Sequence, residues 1–477
     1  MMKREDILAV YESGPEAVIV LVEGLLYQIE QLTERVTKLE AEVSKNSRNS
    51  SKPPSSDGFK RKTKSLRERS GKRSGGQLGH PGSTLLFSES PTHSYRYSPE
   101  CCDTCGHSLE SVDAGHFPEQ RHVFDLPEIK LEVIEHLAER KVCPMCQSES
   151  VGQFPADVNP AAVQYGSRMK ALGVYLKNED LLPYERVCKT LEAMCGHRLS
   201  EGTLDHAIRS CAKNLSGFEA AVKGHLKEVD VLNHDETGLR VSTKLHWLHV
   251  ASTVQLTWYE VHEKRGQLAT AAIGILPEFK GILVHDHWKP YFAYPCLHAL
   301  CNAHHLRELK WVEENLKQAW ASQMAKLLIE IKTAVMTCAE SALSKRVASV
   351  FEARYQAILA DGLKANPVPE KMPRQRGRQK KGVARNLVER LRDYQSDVLR
   401  FMSDFRVPFD NNQAERDVRM PKLHNKISGC FRSTEGAVAF CTIRSYLSTM
   451  KKQGFNLLDA LTQAIRGNPF LPNFATT

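Results

Sequence analysis

The stretch that decides the fold is Val229-Asp230-Val231-Leu232-Asn233-His234-Asp235-Glu236-Thr237-Gly238, a strand-like run that ends in two acids. A second apolar run, Ile282-Leu283-Val284, ends in the same way at Asp286. We expect each acid to lie at or near the end of its strand. Two strands that bring carboxylates to one edge of a sheet predict a divalent-metal site, because Mg²⁺ prefers oxygen ligands. Glu236 ranks behind Asp235, since consecutive strand residues point to opposite faces.

The flanking patterns place these strands in a mixed sheet. Leu245 to Ala251 and Leu256 to His262 alternate as antiparallel strands, and a helix from about Gln267 to Leu276 leads to the Asp286 strand. Three strands, a helix and a fourth strand, with acids on the first and fourth, is the order of a ribonuclease-H-like domain. From Asn302 to about Ser403 the pattern is mostly helical, with a basic loop at 366–385, which predicts a large helical insertion.

A third acid follows this insertion in the run Phe409-Asp410-Asn411-Asn412-Gln413-Ala414-Glu415-Arg416-Asp417-Val418-Arg419. Helix-start signals at residues 410–412 place Glu415 in a first helical turn, where it is a candidate third metal ligand. The same spacing also fits a capping box with Asn412 as the N-cap, and the spacing alone does not decide between them. Phosphodiester chemistry commonly uses a pair of Mg²⁺ ions. Residues near the acids are therefore candidates to bind or position DNA: Arg416, Arg419, Thr237, His285, His287 and Lys289.

The positive charge of the chain is concentrated in two islands. Residues 45–73 contain eleven Lys or Arg and two acids, which accounts for the whole net charge of +9. A second island, Lys371 to Arg385, has seven basic residues and no acid. Such concentrations suit a polyphosphate partner, here DNA, although a solubilising linker has the same composition. Candidate DNA-binding residues in the first island are Lys60, Arg61, Lys62, Lys64, Arg67, Lys72 and Arg73.

The N-terminal segment carries a heptad seam. Apolar residues recur in alternating steps of three and four at Val18, Val22, Leu25, Ile29, Leu32, Val36, Leu39 and Val43. This pattern predicts a coiled-coil helix that pairs subunits. The alternative is a helix that packs on its own chain.

Two Cys-x-x-Cys pairs follow the basic island, and they indicate a tetrahedral zinc site made by Cys102, Cys105, Cys143 and Cys146. Cys101 competes with Cys102, but the two-residue gap favours Cys102. Residues 121–126 and 130–137 between the pairs have strand patterns. Redox-active or free thiols are the alternative. Cys301 and His304 are candidate ligands of a second metal. The alternative is that they only pack the helix on which they lie.

Residues 165–226 are helical in pattern, with a break at Leu181-Leu182-Pro183-Tyr184, a turn at Gly196 and Ser200 as an N-cap. Two helices, a turn and a third helix resemble a helix-turn-helix, although a small packed core has the same pattern. No apolar run reaches the length of about 20 residues that a membrane helix needs, and no signal peptide precedes the chain. We therefore expect a cytoplasmic, nucleoid-associated protein with no membrane partner.

Several motifs occur in order: His234-Asp235-Glu236-Thr237, His285-Asp286-x-Trp288-x-Pro290-Tyr291, Cys301-x-Ala303-His304-x-Leu306-Arg307-Glu308-Leu309 and Asp410-Asn411-Asn412-x-Ala414-Glu415-Arg416. Together with the run from Asn46 to Asp57, the run Gly75-Gly76-Gln77-x-Gly79-His80-Pro81-Gly82 and the double Cys-x-x-Cys, they resemble the large transposase of the insertion-sequence-sixty-six family. The resemblance implies a bacterial Asp-Asp-Glu transposase, with the triad on Asp235, Asp286 and Glu415 and with Mg²⁺ (or Mn²⁺) and Zn²⁺ as cofactors.

The expected architecture is multidomain α+β. Its parts are a coiled-coil helix (1–45), a basic disordered or linker segment (46–98), a zinc-binding β module (99–150), a helical DNA-binding region (160–226), a ribonuclease-H-like α/β core in two parts (227–300 and 404–477) and its helical insertion (301–403). Element ends and target DNA are the expected partners, with self-association as a dimer or higher and accessory proteins of the same element. The alternative functions are a structure-specific nuclease that does not join DNA, and a catalytically inert zinc-containing DNA-binding regulator.

Overall fold

The N-terminal part of the chain is helical. A computed structural model describes residues 4–43, 79, 84–113, 119–155, 158–368 and 381–474. Helix α1 spans Arg4–Glu12 and α2 spans Pro15–Val43. Seam residues from Val22 to Val36 on α2 are between 46% and 59% exposed. In the part of the chain that the structure describes, these side chains stay about half exposed, and both the coiled coil and the alternative of a helix packed on its own chain stay predictions.

The cysteine-pair segment contains a short hairpin, in which β1 (Arg140–Val142) pairs antiparallel with β2 (Glu149–Val151). The strands predicted at residues 121–126 and 130–137 are wrong, because neither stretch has strand structure. Their apolar side chains are open to solvent, with Val133 91% exposed and Leu126 80% exposed. An alternating pattern specifies a strand only where a neighbouring strand and a packed face accept it, and the described residues supply neither here.

Four helices precede the main sheet: α3 (Ser167–Asn178), α4 (Tyr184–Cys195), α5 (Glu201–Asn214) and α6 (Ser216–Leu226). Gly196 ends α4 in the left-handed conformation, and the Ser200 hydroxyl accepts the Thr203 N–H at 3.1 Å, which confirms the predicted N-cap. The apolar faces of these helices join the core beneath the sheet. They have the packing role that was the alternative to a helix-turn-helix, and DNA contact by this region stays a prediction.

The central sheet has five strands in the order β5-β4-β3-β6-β7. They are β3 (Val231–Val241), β4 (Lys244–Ser252), β5 (Thr257–His262), β6 (Ile282–His285) and β7 (Leu297–Leu300). The pairs β3–β4 and β4–β5 are antiparallel, whereas β3–β6 and β6–β7 are parallel. Helix α7 (Gln267–Ile273) connects β5 to β6, and a 3-10 helix spans Lys289–Ala293. The four predicted strands and their connecting helix are thus confirmed, while β7 was not predicted.

The predicted helices between the sheet and Glu415 are confirmed. They are α8 (Asn302–Leu316), α9 (Ala319–Thr337), α10 (Lys345–Ala365), α11 (Val383–Asp393) and α12 (Gln395–Ser403). Their apolar residues form a second core, which also contains Val284 of β6 and Leu300 of β7. The helices therefore pack directly against the parallel side of the sheet.

Four helices complete the described chain: α13 (Asn412–Asp417), α14 (Arg419–Ile427), α15 (Thr434–Lys452) and α16 (Leu457–Ile465). Helix α15 covers the outer edge of the sheet. Its Ser445 and Thr449 hydroxyls accept the N–H groups of Tyr259 and Thr257 on β5 at 2.9 and 3.0 Å. The side chains therefore satisfy donors that an edge strand would leave open. Among the described helices, none combines the length and the hydropathy needed to cross a bilayer.

Candidate active site

Strands β3 and β6 bring Asp235 and Asp286 to the same level of the sheet. Their parallel register pairs Asn233 with Val284, so Asp235 and Asp286 follow two residues later at matching positions. Gly281 permits this close approach, because a Cβ there would lie 2.5 Å from the Val229 carbonyl oxygen. The expectation that Asp235 ends its strand is wrong, since β3 continues to Val241 in its pairing with β4. What ends just before Asp235 is the pairing with β6.

The electrostatic environment of both aspartates disfavours their ionised forms. Burial, followed by the carboxylates of Glu236 and Asp286, raises the pKa of Asp235 well above its ordinary value. Burial and the Glu236 carboxylate raise the pKa of Asp286 to about 7, and Glu415 adds to this shift. The positive charges of Lys422 and Arg265 oppose these shifts without cancelling them, so the two acids form an environment that a bound cation would relieve.

The loop before α13 is anchored to β3 through Asn411. The Asn411 side chain donates to the His234 carbonyl at 2.8 Å and accepts from the Asn233 side chain at 2.9 Å. Asn411, rather than Asn412, occupies the N-cap position, and its side chain makes no cap hydrogen bond. The capping-box interpretation, which takes Asn412 as the N-cap, is therefore wrong: Asn412 lies inside the helix, and the side chain of the true N-cap residue, Asn411, is bound to β3.

The Glu415 carboxylate turns toward the start of α8. Arg307 donates to its two oxygens at 3.2 and 3.5 Å. His304 Nδ1 lies 3.7 Å and Cys301 Sγ 4.0 Å from Glu415 Oε1. Cys301, His304 and Glu415 together offer ligand atoms that all lie within 4.8 Å of one another. Glu415 thus lies beside this Cys-His pair, and its charge also acts on Asp286.

Glu236 is engaged in a separate buried network. Its side chain is 1% exposed and forms an ion pair with Arg265, whose Nη2 lies 2.6 Å from Oε1. The Tyr291 hydroxyl donates to the other carboxylate oxygen. The Arg265 guanidinium also stacks on Trp288 and Trp247, at 4.2 and 4.7 Å from their ring centroids. Side-chain donors therefore satisfy both oxygens of the Glu236 carboxylate, whereas Asp235 and Asp286 each accept a backbone N–H, from Glu236 at 2.8 Å and from Trp288 at 3.1 Å.

Comparison with protein-family models identifies the family. A model described as Transposase IS66 family matches residues 162–439, more than half of the 477-residue chain. The chain belongs to the IS66 transposase family. A second model, described as a family of unknown function, matches residues 11–85. No curated protein matches the chain.

Family membership confirms the resemblance expected from the motifs. It assigns the chain to the transposases, a class of nuclease-type enzymes with DNA as their partner, and the Asp-Asp-Glu type of the family implies a divalent metal. The matched range runs from the residues before α3 into α15, so it contains Asp235, Asp286 and Glu415. The individual roles of these residues belong to the proposal below.

Positive charge near the acids of this IS66 transposase comes from residues that sequence reasoning did not assign. Burial lowers the pKa of Lys422 on α14, while the charges of Asp235 and Glu415 oppose that shift. Lys422 lies seven residues after Glu415, a spacing that returns to the same side of a helix and offers a usable signal. Arg307 and Arg265 had no comparable signal, because their partners are distant in sequence.

The predicted DNA-contacting residues divide into exposed and buried groups. Arg416, Arg419 and Lys289 are exposed, as contact with DNA requires. Thr237 and His285 are 4% and 0% exposed, so their assignment to DNA positioning is wrong. Each lies inside the sheet, where alternation directs its side chain into a packed layer. His287 is partly buried, with its ring 4.4 Å from that of Tyr394.

The two cysteine pairs adopt the same turn. In each, the N–H of the first cysteine donates at 2.9 Å to a carbonyl five residues later, His107 for Cys102 and Ser148 for Cys143. Hydrogen bonds from Cys105 and Thr104 lower the pKa of the Cys102 thiol, and hydrogen bonds with Ser148 lower that of Cys146. Across the described residues, no three of the four sulfurs lie within 4.8 Å of one another. The structure therefore forms two half-sites without joining them, and the zinc site stays a prediction.

The basic islands lie largely beyond the residues that the structure describes. Lys60, Arg61, Lys62, Lys64, Arg67, Lys72 and Arg73 are all outside the described residues. Of the second island, the described Lys381 and Arg385 bind Glu389 at 2.6 and 2.8 Å. These two residues are therefore engaged with the chain itself, and DNA contact by the islands stays a prediction.

Proposed function

We propose that the chain is an Asp-Asp-Glu transposase that hydrolyses element ends and transfers the freed 3′-hydroxyl into target DNA. The observation that carries this proposal is the matched register of Asp235 and Asp286 on parallel strands, with the Glu415 charge acting on Asp286. Membership of the IS66 transposase family supports the reaction class. The strand order, with two antiparallel and two parallel pairings around β3, supports a ribonuclease-H-like core.

The donor set suits Mg²⁺ or Mn²⁺. Asp235, Asp286 and Glu415 offer oxygen ligands, and the pKa values of the two aspartates are raised first by burial and then by the neighbouring carboxylates. These three residues would hold the metal. The bound metal supplies an activated water and stabilises the oxygen that leaves phosphorus.

The chain's own residues then have distinct tasks. Asn411 ties the start of α13 to β3, which fixes Glu415 relative to the aspartates. Arg307 orients the Glu415 carboxylate, and the exposed Arg416 and Arg419 bind backbone phosphates of the DNA. Water attacks a phosphodiester at the element end and breaks its P–O3′ bond, which leaves a 3′-hydroxyl and a 5′-phosphate. The 3′-hydroxyl then attacks a target phosphodiester and displaces the target's own 3′-hydroxyl, without a covalent enzyme intermediate.

The N-terminal segments would organise the DNA and the subunits. The exposed seam of α2 supports pairing through a coiled coil, with a dimer or a higher oligomer as the result. The basic island and a zinc module built on the two cysteine turns would bind element ends. Accessory proteins of the same element complete the proposed assembly.

The test is the Asp235→Asn variant in Mg²⁺-dependent end cleavage and strand transfer. We expect both activities to fall to the level of the metal-free reaction, because one of three metal ligands loses its charge. Asp230→Asn is the matched control, since Asp230 lies just before β3 but is 69% exposed and pairs with Arg406. Undiminished activity of Asp235→Asn would overturn the proposal. If the natural chain cleaved DNA without joining it, the protein would be a nuclease. If the natural chain bound DNA with neither activity, it would be an inert regulator.

A further inference from the structure

A cluster of potential metal ligands lies on the side of Glu415 that faces α8. Cys301 is the N-cap residue of α8, and His304 lies in its first turn. The Glu415 Oε1 atom is 4.0 Å from Cys301 Sγ and 3.7 Å from His304 Nδ1. Among the described residues, this is the one group of at least three His, Cys, Asp or Glu residues with ligand atoms within 4.8 Å of one another.

The distances in the cluster approach those of a zinc site. Zinc binds sulfur at about 2.3 Å, nitrogen at about 2.0–2.1 Å and carboxylate oxygen at about 2.0–2.2 Å, so neighbouring ligand atoms of a tetrahedral site lie about 3.3–3.6 Å apart. Glu415 Oε1 lies 4.0 Å from Cys301 Sγ and 3.7 Å from His304 Nδ1. A small rotation of these side chains would bring both distances into this range. Sulfur and imidazole ligands favour zinc over magnesium, which takes oxygen donors.

The three donor atoms differ in their partners: Arg307 binds Glu415, a backbone N–H binds Cys301 Sγ, and no group in the described chain binds His304 Nδ1. His304 Nδ1 is buried and has no hydrogen-bond partner in the described chain, although a buried ring nitrogen normally has one. The Asn411 N–H donates to Cys301 Sγ at 3.1 Å. Such outer-shell hydrogen bonds orient metal ligands and stabilise a thiolate. A helix-packing role alone would explain the burial of Cys301 but not the unpartnered nitrogen that points toward Glu415.

We infer that Cys301, His304 and Glu415 form a Zn²⁺ site that shares Glu415 with the carboxylate site of Asp235 and Asp286. When zinc binds, the Cys301 thiol loses its proton to solvent, His304 donates its unprotonated Nδ1 and Glu415 donates Oε1. Water completes the four ligands. Arg307, which contacts Oε1 at 3.2 Å, keeps its contact with the second oxygen.

Sharing one carboxylate makes the two metals competitors. A zinc ion at Cys301 and His304 holds Glu415 away from Asp235 and Asp286, and Mg²⁺ bound by the three acids draws Glu415 away from zinc. Zinc would thus act as an inhibitor of the reaction. This consequence rests on the proposed function, whereas the existence of the zinc site does not.

The binding test uses Co²⁺, a spectroscopic substitute for Zn²⁺, in a full-length chain that carries Cys101→Ser, Cys102→Ser, Cys105→Ser, Cys143→Ser and Cys146→Ser. These changes remove every thiol of the two cysteine pairs and the adjacent Cys101, so that the remaining sulfur-to-metal charge-transfer absorption reports on other thiols. We expect one Co²⁺ per chain with this absorption. Cys301→Ala abolishes the absorption, and His304→Ala weakens Co²⁺ binding by at least about tenfold, the loss typical even of residues that only support a ligand. Cys296→Ala, which removes a buried thiol outside the cluster, leaves the absorption unchanged.

A folded background chain that gives no thiolate absorption, or absorption that survives Cys301→Ala, would overturn the inference. Should the background chain fail to fold, the zinc content of the natural chain gives a second measurement, and Cys301→Ala must hold one zinc fewer. Added zinc is then titrated into Mg²⁺-supported DNA cleavage, with each variant compared with its own zinc-free rate. Zinc inhibits the natural chain, and Cys301→Ala loses that inhibition. Co²⁺ binding at Cys301 without any DNA cleavage would refute the proposed function alone, and cleavage without Co²⁺ binding would refute the zinc site alone.

Discussion

Neighbouring acids on β3 and β6 should respond in opposite directions to the same isosteric change. Asp286→Asn removes a carboxylate whose ionised form is disfavoured by burial and by the nearby Glu236 carboxylate. Glu236→Gln removes the negative partner of Arg265 and an acceptor of the Tyr291 hydroxyl. We therefore predict that, without metal, Asp286→Asn stabilises the protein and Glu236→Gln destabilises it.

The magnitudes follow from the two environments. The pKa of Asp286 is raised from 3.8 to about 7. Each pKa unit corresponds to about 1.4 kcal/mol, so removing this carboxylate raises the free energy of unfolding near neutral pH by about 2–4 kcal/mol. Breaking a buried ion pair costs about 3–5 kcal/mol. For Glu236→Gln we expect about 3 kcal/mol, because the Arg265 side chain is 28% exposed and keeps some hydration.

The assay is thermal unfolding of the full chain in a chelator, followed by the same measurement with added Mg²⁺. At about 1–2 °C per kcal/mol for a chain of this size, Asp286→Asn raises the melting temperature by about 2–8 °C and Glu236→Gln lowers it by about 3–6 °C. Asp230→Asn is the control and stays within about 0.5 kcal/mol, as exposed substitutions usually do. Added Mg²⁺ stabilises the natural chain by about 2.7 kcal/mol at 100 times its dissociation constant. Asp286→Asn loses that gain.

One result would refute this reasoning. If Asp286→Asn lowered the melting temperature in the chelator as much as Glu236→Gln does, the aspartate would be a structural residue whose charge the protein already compensates. The interpretation of the β3–β6 edge as a metal site would then lose its electrostatic basis. A melting temperature of the natural chain that does not change with Mg²⁺ would contradict the metal assignment independently.

Two further predictions concern parts of the chain outside the site. Arg444→Met breaks the buried ion pair with Glu179 and lowers the free energy of unfolding by about 3–5 kcal/mol, whereas Arg354→Met, in an exposed pair with Glu330, changes it by less than about 1 kcal/mol. Burial opposes ionisation of Glu179, but Arg444 and Lys451 hold its pKa below 4.5. The pair therefore contributes its full stabilisation above pH 4.5, and this contribution is lost as the pH falls through the depressed pKa of Glu179. In urea unfolding at several pH values, the free energy of unfolding of Arg444→Met should fall less steeply at acid pH than that of the natural chain. In the seam of α2, Leu25→Asp should reduce the oligomer mass in light scattering while Leu26→Asp, outside the seam, does not; an unchanged mass for Leu25→Asp would contradict the coiled coil.

Local patterns predicted the sheet well where the pattern and the packing agree. Strand β4 keeps the predicted bounds of residues 245–251 within a residue at each end, and both of its faces are packed, with Ala251 in one core and Leu248 and Val250 in another. The stretches at 121–126 and 130–137 have a comparable alternation but no strand, because a pattern does not specify whether a pairing neighbour exists. Strand β7 escaped prediction because its four residues are too short to show a period.

The site was predictable in its acids and not in its supporting residues. Asp235 and Asp286 follow apolar runs, and this signal is local. The role of Asn411 was hidden because its partners on β3 are 177 and 178 residues away, so the sequence left a capping box and a metal ligand equally open for that helix start. Arg265 was missed for the same reason. Its charge partner Glu236 is 29 residues distant, and its aromatic partners lie on both sides of it in the chain.

The helical insertion explains how Glu415 can act with acids so far away in sequence. The insertion leaves the sheet at Cys301 and returns at Phe409, and its two ends are joined where the Asn302 N–H donates to the Phe409 carbonyl at 3.2 Å. The Asn411 N–H reaches Cys301 Sγ next to this junction. The insertion is therefore a closed excursion from the sheet, and its internal length does not change the position of Glu415. The same junction brings Cys301 and His304 to Glu415. The contact that completes the carboxylate site therefore also places a thiol and an imidazole next to it.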